Sequence, residues 1–336
     1  MPERIVPMEQ LLAAREVVAG QVHRTPMLSS ATAARVIAAS GGPPIADGRL
    51  YVKAENLQVT GSFKPRGMLN KVAALSPAER ERGIVTFSAG NAAQGYAWAA
   101  RTVGVHAVVV MPVGAVQSKV EACRGYGAEV VLHGTHIDET LAMVEEIARE
   151  RGLVFAHPFD DPHVIAGYGT MGFEILEDVP ELDVLVVGIG GGGLISGVAA
   201  AVKERRPGVR IYGVEPDQSN AVSIGLERGE PVQIRPHTVA DGLGAPFAGL
   251  WTLAMCSRYV DEIVLLDDPT ILSGVRFAAE RMKQVFEPAG AAALAAVLHG
   301  RVPIRPRERV CVVASGGNVE IGRLGALIEG AAPLPH

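Results

Sequence analysis

Four short segments carry the groups of this chain that could do chemistry: Ser62-Phe63-Lys64-Pro65-Arg66-Gly67, Ser88-Ala89-Gly90-Asn91, Gly188-Ile189-Gly190-Gly191-Gly192-Gly193 and Ser315-Gly316-Gly317-Asn318. The third follows an apolar run at 184–187 and leads into a helical pattern from Leu194. Glycine leaves backbone N–H groups unhindered. At a helix N-terminus those groups join the positive end of the helix dipole, so Gly190, Gly191, Gly192 and Gly193 suit a phosphate.

Two cofactors could place a phosphate there. Gly188, Gly190 and Gly193 satisfy G-x-G-x-x-G, and Glu215 follows Gly193 by 22 residues, which is the spacing of a dinucleotide fingerprint and keeps a nicotinamide (NAD) oxidoreductase open. The lysines argue for another cofactor. Of 31 basic residues only six are lysines, and Lys64 stands between an aromatic residue and a proline. A guanidinium stays protonated and cannot replace an amine in forming an imine. Lys64 beside the glycine loop would suit pyridoxal 5'-phosphate (PLP), with the phosphate on the glycines and the aldehyde on the lysine. Taken alone, a single lysine is a solvated surface charge.

The elements that must position these groups follow a regular grammar. Short β-rich runs occur at 84–87, 106–110, 129–132 and 153–156, with helical patterns at 91–103, 116–126 and 137–151 between them. The alternation resumes with a strand at 184–187, a helix at 194–205 and strands at 210–214 and 262–266. A helix near 269–286, an alanine-rich helix from Ala289, a strand at 310–313 and a helix after Asn318 complete it. Alternating strands and helices mean βαβ units and parallel sheets, whose ligands sit where strand ends lead into helix N-termini. The reading is α/β with two parallel-sheet lobes, the smaller (81–160) inserted in the larger (1–80 and 161–336).

Composition bounds the partners. The chain has 336 residues, 48% apolar, with a net charge of −5, which excludes general disorder and argues against nucleic-acid binding. Residues 184–202 carry no charge, but six glycines there favour strand, loop and helix over a membrane span. The acidic N-terminus lacks the apolar core of a signal peptide. Cys123, Cys256 and Cys311 form no C-x-x-C pair, and His133 and His136 read as ordinary surface histidines. A cytoplasmic protein without nucleic-acid or membrane partners is expected.

The four segments together, in this order, resemble the fold type II PLP enzymes (tryptophan synthase β-like), and within them the serine/threonine dehydratases. The resemblance covers residues 20–325. It implies that Lys64 holds the cofactor as a Schiff base and serves as the base, with Phe63 near the cofactor and Asn91 on its phenolic oxygen. It implies that Gly190, Gly191, Gly192, Gly193 and Leu194 hold the phosphate and that Ser315 faces the pyridine nitrogen. Ser88, Ala89, Gly90 and Asn91 would hold the substrate carboxylate. The implied activity is dehydration and deamination of L-threonine or L-serine to a 2-oxo acid and ammonia, by a homodimer or homotetramer.

Departures from the family pattern carry information. Serine racemases place a second serine after the one matching Ser88; this chain has Ala89, as dehydratases do. Ala92 replaces a histidine usual after Asn91, which bears on specificity. Glu287 matches a family position near the cofactor. Glu215 matches the glutamate that holds a cation, Mg²⁺ or a monovalent ion, in racemase-like members, but Ala221 stands where their next acidic residue lies. A dehydratase for another 3-hydroxy amino acid, such as 3-hydroxyaspartate, a racemase-like activity and a non-catalytic sensor are the alternatives.

Overall fold

The computed structural model describes residues 4–334, so the outermost ends of the expected larger lobe, 1–3 and 335–336, lie outside it. Ten strands form two sheets: β1 (Met27–Ser30), β2 (Leu50–Ala54), β3 (Ile84–Phe87), β4 (Ala107–Met111), β5 (Glu129–Leu132), β6 (Val154–Phe155), β7 (Val184–Gly188), β8 (Arg210–Pro216), β9 (Glu262–Leu266) and β10 (Val310–Ala314). The larger sheet has the order β1-β2-β10-β7-β8-β9 and the smaller β5-β4-β3-β6. Every pairing is parallel except the edge pair β1–β2.

Central strands here bury both faces, as parallel sheets require, so alternate residues feed different cores. In β7, Leu185 and Val187 join a core shared with the smaller sheet's Ile84, Val109 and Met111, while Val184 and Val186 face the opposite core. In β4, Val108 and Val110 face a third, smaller core. The Pro162–Asp178 and Gly193–Lys203 helices cross on the shared core at very close range. A Cβ on Gly197 would stand 2.1 Å from the Ile165 carbonyl oxygen and one on Gly172 2.9 Å from that of Val198. Part of the glycine content therefore serves helix contact rather than ligand contact.

Two sequence expectations need correction. The helix expected over 269–286 is α-helical only over Asp268–Phe277 and widens into a π turn at Ala278–Met282. Lys283 then adopts a left-handed conformation (φ 57°) and the chain runs extended into Glu287. The break delivers Glu287 to the cap of the next helix, Pro288–Leu298. Strands β1 and β2 escaped detection because neither is a continuous apolar run: β1 ends in two serines and β2 carries a lysine, Lys53. The uncharged stretch 184–202 is strand, loop and helix, as read, and no helix among the described residues is long and apolar enough to cross a membrane.

Candidate active site

The strand ends bring the expected segments together. The Ser88 loop follows β3, the glycine loop follows β7 and Ser315 follows β10. Lys64 opens the Lys64–Ala73 helix, with Pro65 at its first turn, where a missing N–H costs nothing. Backbone bonds zip this segment to the Ser315 loop: Phe63 N donates to Ser315 O at 3.0 Å and Gly317 N to Gly61 O at 2.9 Å. Phe63, Lys64, Ser88, Ala89, Gly90, Asn91, the glycines at 190–193, Leu194, Glu287 and Ser315 all line one cavity of about 290 Å³.

Glu215 does not reach it. Its carboxylate accepts from Val222 N and Ser223 N, both at 2.9 Å, and from Ser223 Oγ at 2.5 Å, capping the Ala221–Arg228 helix. The carboxylate that a nicotinamide enzyme would need for its ribose is thereby taken up by a helix end. Among the described residues no group of three or more His, Cys, Asp or Glu side chains is arranged to hold a metal ion.

Lys64 is half-buried. Its ammonium lies 4.9 Å from the Phe63 ring centroid and 5.7 Å from that of Tyr168, and its one hydrogen bond is a long 3.4 Å contact to the Pro158 carbonyl. Burial pushes the amine down to about 8, against a smaller opposing pull from Glu287. Glu287 is itself pushed up to about 7, by burial first and then by Asp241. Asn91 Nδ2 donates to Glu287 Oε1 at 2.6 Å, and Asn91 Oδ1 accepts from Asn318 Nδ2 at 2.8 Å. These two bonds orient the Asn91 amide and leave one of its N–H groups to point at a ligand oxygen.

The residues present fit PLP. The amides of residues 190–194 donate to no other described residue, so an anion of several oxygens would satisfy them together. Gly192 takes φ 88°, and a Cβ on Gly191 would stand 2.5 Å from the Phe159 ring, so larger residues would close the cradle. Ser315 Oγ makes only a 3.4 Å bond to Ala289 O and can turn to a ring nitrogen. A second amide-rich turn completes the set. Gly90 N donates to Ser88 Oγ at 3.0 Å, while Ala89 N and Asn91 N remain unpaired among the described residues, facing the cavity at the start of the Asn91–Val103 helix.

Sequence reasoning missed the segment His157–Asp161 that braces the site. Pro158 accepts from Lys64, and Phe159 packs on the glycine loop. Asp160 accepts from the amides of Leu250, Trp251 and Thr252. His157 Nδ1 accepts from Asp160 N at 2.9 Å, and burial pushes the imidazole down to about 4, so it is neutral. Nothing local in H-P-F-D-D marks these roles. Lys119 and Asp241, which also line the cavity and pair at 3.0 Å, were missed too, although the scarcity of lysines was a signal for Lys119.

Comparison with known proteins agrees with this geometry. The family described as pyridoxal-phosphate dependent enzyme matches residues 18–316. The chain is 41% identical over 327 residues to an L-threonine ammonia-lyase of Thermotoga maritima, covering 97% of this chain and 79% of that one. The fold is similar to that of the processed form of threonine deaminase isoform 2 from Solanum lycopersicum (TM-score 0.87, 32% identity, 96% of this chain and 86% of that one). It is also similar to maize serine racemase (TM-score 0.89, 33% identity, 96% and 97%). With the lysine, the glycine loop and the two asparagine-bearing loops on one cavity, the chain belongs to the fold type II pyridoxal-phosphate-dependent enzymes, in the threonine dehydratase family.

Proposed function

We propose that this protein is a PLP-dependent ammonia-lyase that removes water from L-threonine or L-serine and releases a 2-oxo acid and ammonia. The observation that carries the reading is the convergence of the Lys64 amine and two sets of unpaired amides, at 89 and 91 and at 190–194, on one cavity. PLP, when bound, supplies an electrophilic aldehyde and a ring that takes up the electron pair released at the substrate Cα.

The chain supplies the rest. The glycine-loop amides hold the phosphate, and Ser88 with the Ala89 and Asn91 amides holds the substrate carboxylate at a helix N-terminus. Lys64, with its amine pushed down to about 8, keeps a usable neutral fraction near neutral pH and can take the Cα proton. Ser315 offers the ring nitrogen a neutral hydroxyl, which does not hold it protonated as a carboxylate would. That disfavours long-lived carbanions and favours loss of the β-hydroxyl. Ala89 has no hydroxyl to deliver a proton to the opposite face, which supports elimination over racemisation.

The test is oxo-acid release from L-threonine and L-serine by PLP-loaded protein, with the visible absorbance band expected at about 410–420 nm. Lys64→Ala should lose both the band and turnover. A loaded wild type with neither would sink the reading, and release of D-serine faster than oxo acid would favour racemisation instead.

A further inference from the structure

The charges around the cavity form a short inventory. Among the described residues its lining holds two basic side chains, Lys64 and Lys119, and two acidic ones, Asp241 and Glu287. Lys64 is committed to the cofactor. Lys119 reaches in from the Gln117–Gly125 helix, and its ammonium lies 3.8 Å from where a Cβ on Gly90 would stand, above the substrate-carboxylate loop. Asp241, on the turn between β8 and β9, holds that ammonium at 3.0 Å. The two partners differ in exposure: the Lys119 side chain is 12% exposed and the Asp241 side chain 53%. The aspartate stands at the mouth and the lysine faces inward.

The remaining walls are uncharged. Phe87, Ala89, Ala92, Phe159, Leu243 and Pro246 line the same cavity. Arg323 and Glu320 line only the adjoining cavity, which shares Lys119, Asp241 and Glu287 with this one. A substrate's α-carboxylate is served by the amides at 89–91. A second carboxylate on the β-carbon would meet a lysine already paired, with Asp241 repelling it as it left water.

We infer that Asp241 is a specificity-determining residue: by occupying Lys119 it denies the cavity a free cation. Three-hydroxy amino acids with an uncharged β-substituent are therefore accepted, and those with an acidic one, such as 3-hydroxyaspartate, are rejected. Rejection here comes from an unpaired charge set against the wrong ligand rather than from added contacts with the right one. The inference rests on the elimination reading for the statement that the ligand is an amino acid.

Its test needs no turnover. Dissociation constants of L-2-aminobutyrate and L-aspartate, which have no β-leaving group, are measured calorimetrically on the PLP-loaded protein. Wild type should bind aminobutyrate at least about tenfold more tightly than aspartate. Asp241→Asn and Asp241→Ser both free Lys119 and should shrink that ratio by about tenfold, with 3-hydroxyaspartate gaining as a substrate. Adding Lys119→Met to Asp241→Asn should restore the rejection. Aspartate binding wild type as tightly as aminobutyrate, or an unchanged ratio in both Asp241 variants, would overturn the inference. If oxo acid is released from no amino acid while the binding ratios follow this order, the elimination reading fails and the assignment of Asp241 stands.

Discussion

At the scale of single residues, the site is set by two groups that burial moves in opposite directions. Lys64 falls to about 8 and Glu287 rises to about 7, each because a charge in low dielectric is disfavoured. This has a consequence for stability. A free glutamate ionises near 4.5, so between 4.5 and about 7 the unfolded chain loses the proton while the folded chain keeps it. Folding stability contributed by protonated Glu287 is therefore full below 4.5 and is lost as pH rises through about 7. Glutamine does not titrate. The melting temperature of Glu287→Gln should gain on wild type as pH rises from about 5 to 8, in cofactor-free protein followed by thermal scanning. A constant difference would show that Glu287 is ionised throughout. Lys64 gives a second prediction at this scale: reductive trapping of the cofactor-free amine by a small aldehyde should climb through pH about 8 rather than about 10. A climb near the ordinary lysine value would mean the amine is solvated.

At the scale of elements, two kinds of glycine separate. Gly197 lets two helices touch: its missing Cβ would meet the Ile165 carbonyl at 2.1 Å, and backbone cannot move aside. Gly197→Ala should therefore cost about 1–3 kcal/mol or more in urea unfolding, whether or not cofactor is present. Gly191 lets a loop lie under the Phe159 ring, which a Cβ there would approach to 2.5 Å, and displacement would move the amides proposed to hold phosphate. Gly191→Ala should weaken PLP binding by about tenfold or more, with a smaller loss of cofactor-free stability than Gly197→Ala. Both variants behaving alike would erase the distinction. The strands were legible at this scale wherever they were continuous apolar runs: β3, β5 and β9 have the expected bounds. The helix that ends early, at Phe277, could not be read, because its break depends on a π turn and a left-handed lysine, neither of which glycine or proline announces.

At the scale of the whole molecule, a buried ionic network ties the Lys64 helix to distant segments. Arg66, two residues after Lys64 and fully buried, donates to Glu55 at 2.8 and 2.9 Å and to Glu174 at 2.7 and 2.9 Å. It also reaches the His23 carbonyl at 3.2 Å. Lys53, equally buried, holds Glu174 at 2.6 Å and donates to Thr25 O at 2.7 Å. Burial alone would raise the Glu55 carboxyl, yet the Arg66 guanidinium holds it below the ordinary carboxylate range. Arg66→Met keeps most of the volume but strands the Glu55 carboxylate in the interior, while Glu174 keeps Lys53, so it should cost about 3–5 kcal/mol in urea unfolding. A loss below about 1 kcal/mol would mean that water reaches the network.

The amino-acid sequence by itself determined the alternating strands and helices, the phosphate loop, the singular lysine and the two asparagine-bearing turns. Those features are local: glycine, proline and side-chain periodicity act within a few residues. The tertiary structure decided what those turns face and what surrounds them. Lys64 meets Pro158 across 94 residues, Asn91 meets Glu287 across 196, and Lys119 meets Asp241 across 122. Pairings at such separations leave no periodic trace in a single chain, because they arise from how the two sheets pack around a shared core. Burial, which moves the amine and the carboxyl toward neutral pH, exists only once that packing is complete.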